Sequence, residues 1–111
     1  MNKGLMAGAT SLMVLHLIGT RDMYGYEIIK ELDAKSNSVF LLKEGTLYPV
    51  LHALEQDGYV QSYLKTADTG KERKYYQITK KGASALMQKK AEWKAFSTTV
   101  DTVLEEICYA N

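Results

Sequence analysis

Residues 44–60 read EGTLYPVLHALEQDGYV, and this stretch decides the fold. Its apolar residues recur at the spacing of one helical face, at Leu47, Val50, Leu51 and Leu54. The pair Asp57-Gly58 is typical of the end of a helix. After this pair the hydrophobic period changes from about 3.6 to about 2, which is the period of a strand. The stretch therefore predicts a helix that leads directly into a β-strand.

The sequence leaves open where this helix begins. Thr46 is the better N-cap by residue type, but the helix can also begin near Glu44. The choice decides the effect of Pro49, because proline costs little in the first turn of a helix and removes a hydrogen bond one turn later.

Two helices are predicted before this stretch, and a hairpin and a long helix after it. Residues 5–18 are apolar on most sides and predict a buried helix, and residues 24–32 predict a short amphipathic one. Residues 59–64 and 73–78 predict two strands joined by the polar turn 67–71. A final helix is expected to open at Thr79–Gly82 and to run to about Ile107.

These elements, in this order, are those of a winged helix-turn-helix. The predicted fold class is mainly α with a small β-hairpin. We expect residues 1–80 to form a DNA-binding winged helix-turn-helix and residues 81–111 a C-terminal dimerisation helix, the two making one compact unit. In such a fold the third helix enters the major groove and the hairpin reaches the flanking DNA.

Length and composition exclude several other classes of protein. The 111 residues suit a single domain, and 46% hydrophobic residues are too many for a disordered chain. No apolar run is long enough to span a bilayer, and no signal peptide is recognisable, so neither a membrane nor secretion is expected. The single cysteine, Cys108, cannot form an internal disulfide, which favours the cytoplasm.

Positive charge is concentrated in one short segment. The whole chain has a formal net charge of only +1, but residues 65–81 contain six basic and two acidic residues, a net charge of +4. The six cations are Lys65, Lys71, Arg73, Lys74, Lys80 and Lys81. A run of charges is often only a solvated surface. Beside a helix-turn-helix pattern, however, it favours contact with a phosphate backbone.

Three blocks of sequence together suggest a family. YGYEI at residues 24–28, the stretch 44–60, and RKYYQITKKG at residues 73–82 resemble the PadR family of transcriptional regulators. The single helix after the hairpin is similar to the small, LmrR-like PadR subfamily. The resemblance implies a homodimeric repressor of transcription whose C-terminal helices help to form the dimer.

The predicted DNA contacts lie on the third helix and in the hairpin. They are Lys43, Thr46, Tyr48, Pro49, His52 and Gln56, followed by Thr69, Gly70, Lys71, Arg73, Lys74 and Tyr75. The resemblance favours Tyr48 in particular. No Arg or Lys follows Lys43 on this helix, so bidentate reading of guanine is not expected from it. Tyr75 and Tyr76 point to opposite faces of the strand, and the sequence leaves open which of them faces DNA.

The final helix carries a heptad pattern of apolar residues, interrupted by Lys89. The predicted dimerisation residues are Leu86, Trp93, Phe96, Val100, Val103, Leu104 and Ile107. The alternative is that this face packs on the first helix of its own chain, and the two interpretations are compatible.

A ligand site is expected mostly from the resemblance, although two symmetry-related indoles near a two-fold axis can also sandwich a planar ligand. In LmrR-like members a tryptophan from each C-terminal helix frames a hydrophobic pore at the centre of the dimer, and Trp93 lies at that position. The residues expected at the pore are Leu5, Gly8, Ser11, Leu12, Trp93 and Ser97. The drug-binding example has an acidic residue where this chain has Ser97, so a neutral or anionic planar molecule fits at least as well as a cationic drug. Packing of Trp93 in the dimer core is the alternative.

Together these features predict a homodimeric repressor that binds a pseudo-palindromic operator in double-stranded DNA and is released by a planar hydrophobic molecule. The alternatives are a protein-interaction module with a winged helix and a protein that sequesters small molecules without binding DNA. Enzymatic chemistry, a metal and a cofactor are not expected, because His16 and His52 lie on different helices and Cys108 is alone.

Overall fold

The computed structural model describes the backbone of residues 3–110 and the side chains of residues 8–105. The chain folds as α1 (Lys3–Thr20), β1 (Met23–Tyr24), α2 (Gly25–Lys35), α3 (Glu44–Gln56), β2 (Val60–Thr66), β3 (Glu72–Ile78) and α4 (Lys80–Ala110). The three strands form one antiparallel sheet in the order β1-β3-β2. The predicted fold class, mainly helical with a small sheet and a long C-terminal helix, is confirmed.

The hydrophobic core lies between α1, α2, α3 and one face of the sheet. Its fully buried side chains include Leu15, Ile18, Ile28, Leu47 and Leu51. The predicted stripe on α3 therefore faces inward, since Leu54 is buried and Val50 packs at the edge of the core. The exposed side of α3 is left free for contacts with other molecules.

The sheet has one strand more than the sequence indicated. Residues 23–24 pair with β3, Met23 opposite Tyr76 and Tyr24 opposite Tyr75. Tyr24, expected in the second helix, is instead a strand residue and the N-cap of α2. The strand forms because Met23 is buried in the core and β3 offers an edge for pairing. The Tyr24 N–H donates to the carboxylate of Glu27 at 3.2 Å, which fixes the start of α2.

Helix α3 begins at Glu44, with Lys43 as its N-cap, so the earlier of the two possible starts is the observed one. Pro49 therefore lies inside the helix and gives no hydrogen bond to the carbonyl of Gly45. The helix ends as predicted at Asp57-Gly58. Gly58 has a φ of +78°, and the N–H of Tyr59 donates to the carbonyl of Leu54 at 2.9 Å.

The first turn of α4 is hydrogen-bonded to the residues that directly follow α3. The Thr79 hydroxyl accepts from the Gly82 N–H at 3.0 Å and contacts the carbonyls of Gly58 and Tyr59 at 2.6 and 3.1 Å. A Cβ on Gly82 would lie 2.0 Å from the Tyr59 carbonyl oxygen, so only glycine fits there. Beyond this junction α4 extends past the core, and the molecule measures 63 × 29 × 20 Å.

No helix in the described part of the chain is long and apolar enough to cross a membrane.

Candidate nucleic-acid interface

A groove of about 650 Å³ separates α3 from the wing, which we define as β2, β3 and the turn between them. Helix α3 contributes Glu44, Tyr48 and His52 to its walls. The wing contributes Lys71, Arg73, Lys74 and Tyr76. Residues 24–26 complete the lining of the groove. The groove therefore combines three cations with side chains that donate and accept hydrogen bonds.

The predicted contact residues of α3 share its exposed face. Thr46, Tyr48, Pro49, His52 and Gln56 are all exposed, whereas Leu47, Leu51 and Leu54 are buried. Tyr48 is held in place by α2, because its ring packs against Gly25, where an added Cβ would lie 3.3 Å from a ring carbon. Lys43 is also exposed, at the start of the helix.

The wing presents its cations around a tight turn. The N–H of Gly70 donates to the Ala67 carbonyl at 2.8 Å, and Gly70 has a φ of +83°, a conformation that favours glycine. Thr69 and Gly70 are exposed at the tip and do not line the groove. Lys71 and Lys74 are exposed, whereas Arg73 is half-buried.

The structure separates the two adjacent tyrosines of β3. Tyr76 is only 4% exposed, packs in the core and also lines the floor of the groove. Tyr75 lies on the opposite face of the sheet and does not line the groove. Contact between Tyr75 and DNA therefore stays a prediction, and its position makes it the least direct of the set.

Tyr75 belongs to a cluster of tyrosines on the outer face of the sheet. Its ring stacks on Tyr63, with centroids 5.7 Å apart, and meets the ring of Tyr24 edge-on at 5.4 Å. The Tyr63 hydroxyl donates to the Asp22 carboxylate at 2.6 Å. This hydrogen bond to a negative group raises the pKa of Tyr63 to about 12. This cluster was not predicted from the sequence, because Tyr24 comes beside the wing only through the unpredicted strand β1.

A second, smaller groove of about 270 Å³ lies between α1 and α4. It brings together four residues of the predicted ligand site, Gly8, Ser11, Leu12 and Trp93. Ser97 is not among its lining residues, and its hydroxyl donates to the carbonyl of Lys94 at 3.2 Å. The side chain of Leu5 lies outside the described residues.

Three further residues of α4 line this second groove, and the ligand prediction did not include them. They are Lys89, Glu92 and Phe96. Lys89 and Phe96 lie one turn before and after Trp93, a spacing at which residues share a face of a helix, whereas Glu92 directly precedes Trp93 and has no such signal. The rings of Trp93 and Phe96 lie 6.2 Å apart.

The distal part of α4 exposes most of the predicted dimerisation residues. Trp93, Phe96, Val100, Val103 and Leu104 are between 38% and 61% exposed. Leu86 differs from them, because it is half-buried against the core of its own chain. The side chain of Ile107, the last predicted member, lies outside the described residues, as does that of Cys108.

His16 lies on α1 between cationic neighbours. Burial, together with the ammonium groups of Lys90 and Lys35, lowers the pKa of His16 below its usual value. Within residues 8–105 no group of His, Cys, Asp and Glu is arranged to hold a metal ion.

Comparison with known proteins identifies the family. The model of the PadR-like transcriptional regulator family matches residues 14–88. The chain belongs to this family. It is a transcriptional regulator with a DNA-binding winged helix. PadR regulators bind DNA and typically dimerise, and they are not enzymes.

Two individual relatives match most of the chain. The chain is 35% identical over 101 residues to an uncharacterized protein of Lysinibacillus sphaericus, covering 91% of this chain and 93% of that protein. It is 35% identical over 80 residues to a transcriptional regulator of Mycobacterium tuberculosis, covering 72% and 71% of the two proteins.

Solved structures share the fold over nearly the whole chain. A transcriptional regulator from Clostridium thermocellum superposes with a TM-score of 0.82 at 34% identity, covering 90% of this chain and 97% of that one. A PadR-like transcriptional regulator from Bacillus cereus gives a TM-score of 0.80 at 31% identity, covering 92% and 97%.

Proposed function

We propose that this PadR-like regulator is a homodimeric repressor of a pseudo-palindromic operator, released from DNA by a planar hydrophobic molecule. The observation that carries the DNA-binding part is the groove of about 650 Å³ between α3 and the wing. Its three cations suit a phosphate backbone, and the exposed α3 face beside it carries groups that suit base edges.

Each part of the interface has a distinct task in this proposal. Thr46, His52 and Gln56 hydrogen-bond base edges in the major groove, and Pro49 contacts a thymine methyl. Lys43 and Tyr48 bind phosphates at either side of α3, while Lys71, Arg73 and Lys74 bind phosphates from the wing. Thr69 and Gly70 bring the backbone of the tip close to the neighbouring strand.

The exposed apolar residues of α4 support a homodimer. Trp93, Phe96 and Val103 lie on the part of the helix that extends beyond the core, where their own chain leaves them accessible. A second copy would cover this face in the manner of a heptad seam. The two α3 helices would then lie about 34 Å apart, one turn of DNA.

Selection of binding sites from a library of random-sequence DNA duplexes tests the operator and the dimer together. We expect the wild-type protein to enrich an inverted repeat whose half-sites lie about 10 base pairs apart, and to bind it as two chains per duplex. Enrichment of single half-sites by one chain would contradict the dimer. No enrichment at all would contradict sequence-specific binding and favour the protein-interaction module.

The groove between α1 and α4 supports the ligand part of the proposal. Trp93 and Phe96 offer aromatic surface there, and Gly8 leaves open space above α1. A ligand lowers DNA affinity only if it binds better to the dimer geometry that does not fit the operator. Planar dyes that quench Trp93, the sole tryptophan, should therefore displace the selected duplex. Quenching without displacement would favour a sequestering protein.

A further inference from the structure

Of the three wing cations that line the groove, Arg73 lies nearest to an aromatic ring. Its guanidinium carbon lies 4.3 Å from the centroid of the Tyr24 ring. This is the shortest distance between a cation and a ring in the described part of the chain. Lys74, by contrast, lies 5.6 Å from the Tyr76 ring centroid and is exposed. A planar guanidinium over a ring loses freedom of rotation that a lysine keeps.

The Tyr24 ring is itself held by a neighbouring ring, since it meets Tyr75 edge-on at 5.4 Å. Its backbone is fixed as well, because Tyr24 pairs with Tyr75 in the sheet and its N–H donates to Glu27 at the start of α2. The ring therefore offers a rigid support that connects α2 to the wing.

Arg73 has a like-charged neighbour across the strand pair and no carboxylate partner among the described residues. Lys65 lies directly opposite Arg73 in the pairing of β2 with β3, and like charges in this arrangement repel. Among the described residues Arg73 forms no ion pair with a carboxylate, whereas Arg21 pairs with Glu27 and Glu31. Within the described residues no group accepts a hydrogen bond from the Arg73 guanidinium. Arg73 lines the groove, although alternation along β3 places its side chain on the same face of the strand as Tyr75.

We propose that Tyr24 is a positioning residue for DNA binding, whose ring orients the Arg73 guanidinium toward a phosphate of the strand seated in the groove. This inference rests on the proposed function of the wing. In this proposal the two-residue strand β1 has a role in DNA binding, because it brings the Tyr24 ring close to Arg73. The ring is required for this task, and the hydroxyl is not.

The test is a double-mutant cycle measured by fluorescence anisotropy on the labelled duplex obtained from the selection. We expect Tyr24→Leu to weaken binding about five- to tenfold, since the cation–ring contact is lost. Tyr24→Phe should bind within about twofold of wild type, because Phe keeps the ring. In the Arg73→Ala background, Tyr24→Leu should have less than about a twofold further effect, because its partner is absent.

Two controls separate positioning from general damage. Tyr63→Leu removes a ring of the same cluster that, among the described residues, makes no cation–ring contact with Arg73 and no ring contact with Tyr24, and it should leave affinity within about twofold of wild type. Circular dichroism melting establishes that each variant is folded at the assay temperature. The dependence of affinity on salt should also become less steep in Tyr24→Leu, toward that of Arg73→Ala, which a purely structural role would not produce.

Three outcomes would overturn the inference. An equal loss from Tyr24→Leu with and without Arg73 would mean that the ring acts independently of it. An equal loss from Tyr24→Phe and Tyr24→Leu would mean that the hydroxyl contacts DNA. Loss of binding in Lys71→Ala and Lys74→Ala but not in Arg73→Ala would also overturn it, while leaving the proposed function in place. Absence of DNA binding by the wild type would overturn both.

Discussion

At the scale of single residues, the wing divides its tyrosines between two tasks. Tyr76 packs in the core, whereas on the outer face Tyr75 contacts Tyr63 and also Tyr24 of the neighbouring β1. Alternation along a strand predicted that Tyr75 and Tyr76 face opposite sides, but it did not say which side is covered. The α-helices cover the side of Tyr76, and that information lies in the tertiary fold.

The hydrogen bond between Tyr63 and Asp22 predicts a dependence on pH. The pKa of Tyr63 is raised from 10.0 to about 12, so the folded state keeps this proton to higher pH than the unfolded state. The stabilisation is complete below about pH 10 and is lost as the pH rises from about 10 to 12. Asp22→Ala should return the pKa of Tyr63 toward 10.0, as followed by NMR of ¹³Cζ-labelled tyrosine. A Tyr63 pKa unchanged by this substitution would contradict the assignment.

At the scale of elements, the junction between α3, β2 and α4 fixes the direction of the long helix. Thr79 caps α4 and contacts two carbonyls at the end of α3, while Gly82 lets the helix approach the Tyr59 carbonyl. The direction of α4 sets where its apolar face meets a second copy. The cap therefore contributes both to stability and to the geometry of the proposed dimer.

We expect Thr79→Ala to lower the free energy of unfolding by about 1–2 kcal/mol, the range found when an N-cap hydroxyl is lost. Urea denaturation at constant protein concentration measures the change. Thr69→Ala is the matched control, because Thr69 is exposed at the wing tip, and it should change stability by less than about 0.5 kcal/mol. Equal effects of the two substitutions would contradict the capping role.

The sequence predicted the elements that carry strong periodicity and missed those that depend on tertiary contacts. The α3 stripe, its end at Gly58 and the two wing strands follow from local patterns. The strand Met23–Tyr24 is too short to carry any period, and it exists because β3 offers it an edge. The start of α3 at Glu44 places Pro49 inside a helix, against its propensity, because tertiary packing of Leu47 and Leu51 outweighs one lost bond.

The candidate sites likewise combine residues that local sequence patterns indicate with contacts that only the tertiary fold creates. The wing cations and the exposed face of α3 were predictable from charge and period, and Trp93 from a resemblance. The support of Arg73 by Tyr24 was not predictable, since the two residues lie far apart in sequence and meet only through β1.

At the scale of the whole molecule, the shape separates two surfaces. The winged helix-turn-helix, which we call the head, carries the groove with Lys71, Arg73 and Lys74, and α4 carries an exposed apolar face of its own. With 31 residues, α4 is about 46 Å long at a rise of about 1.5 Å per residue. A change in how two α4 helices pack would therefore move the heads relative to each other, which is how a ligand near Trp93 would alter operator binding.

We propose above all that the wing cations bind the phosphate backbone of DNA. The salt dependence of DNA affinity tests this proposal most directly. We would measure the affinity of wild type and Arg73→Ala/Lys74→Ala for the selected duplex by fluorescence anisotropy, from about 50 to 200 mM salt. The account predicts tight wild-type binding with a steep salt dependence, and a slope lower by about two in the double variant. Equal affinities and equal slopes for the two proteins would contradict it.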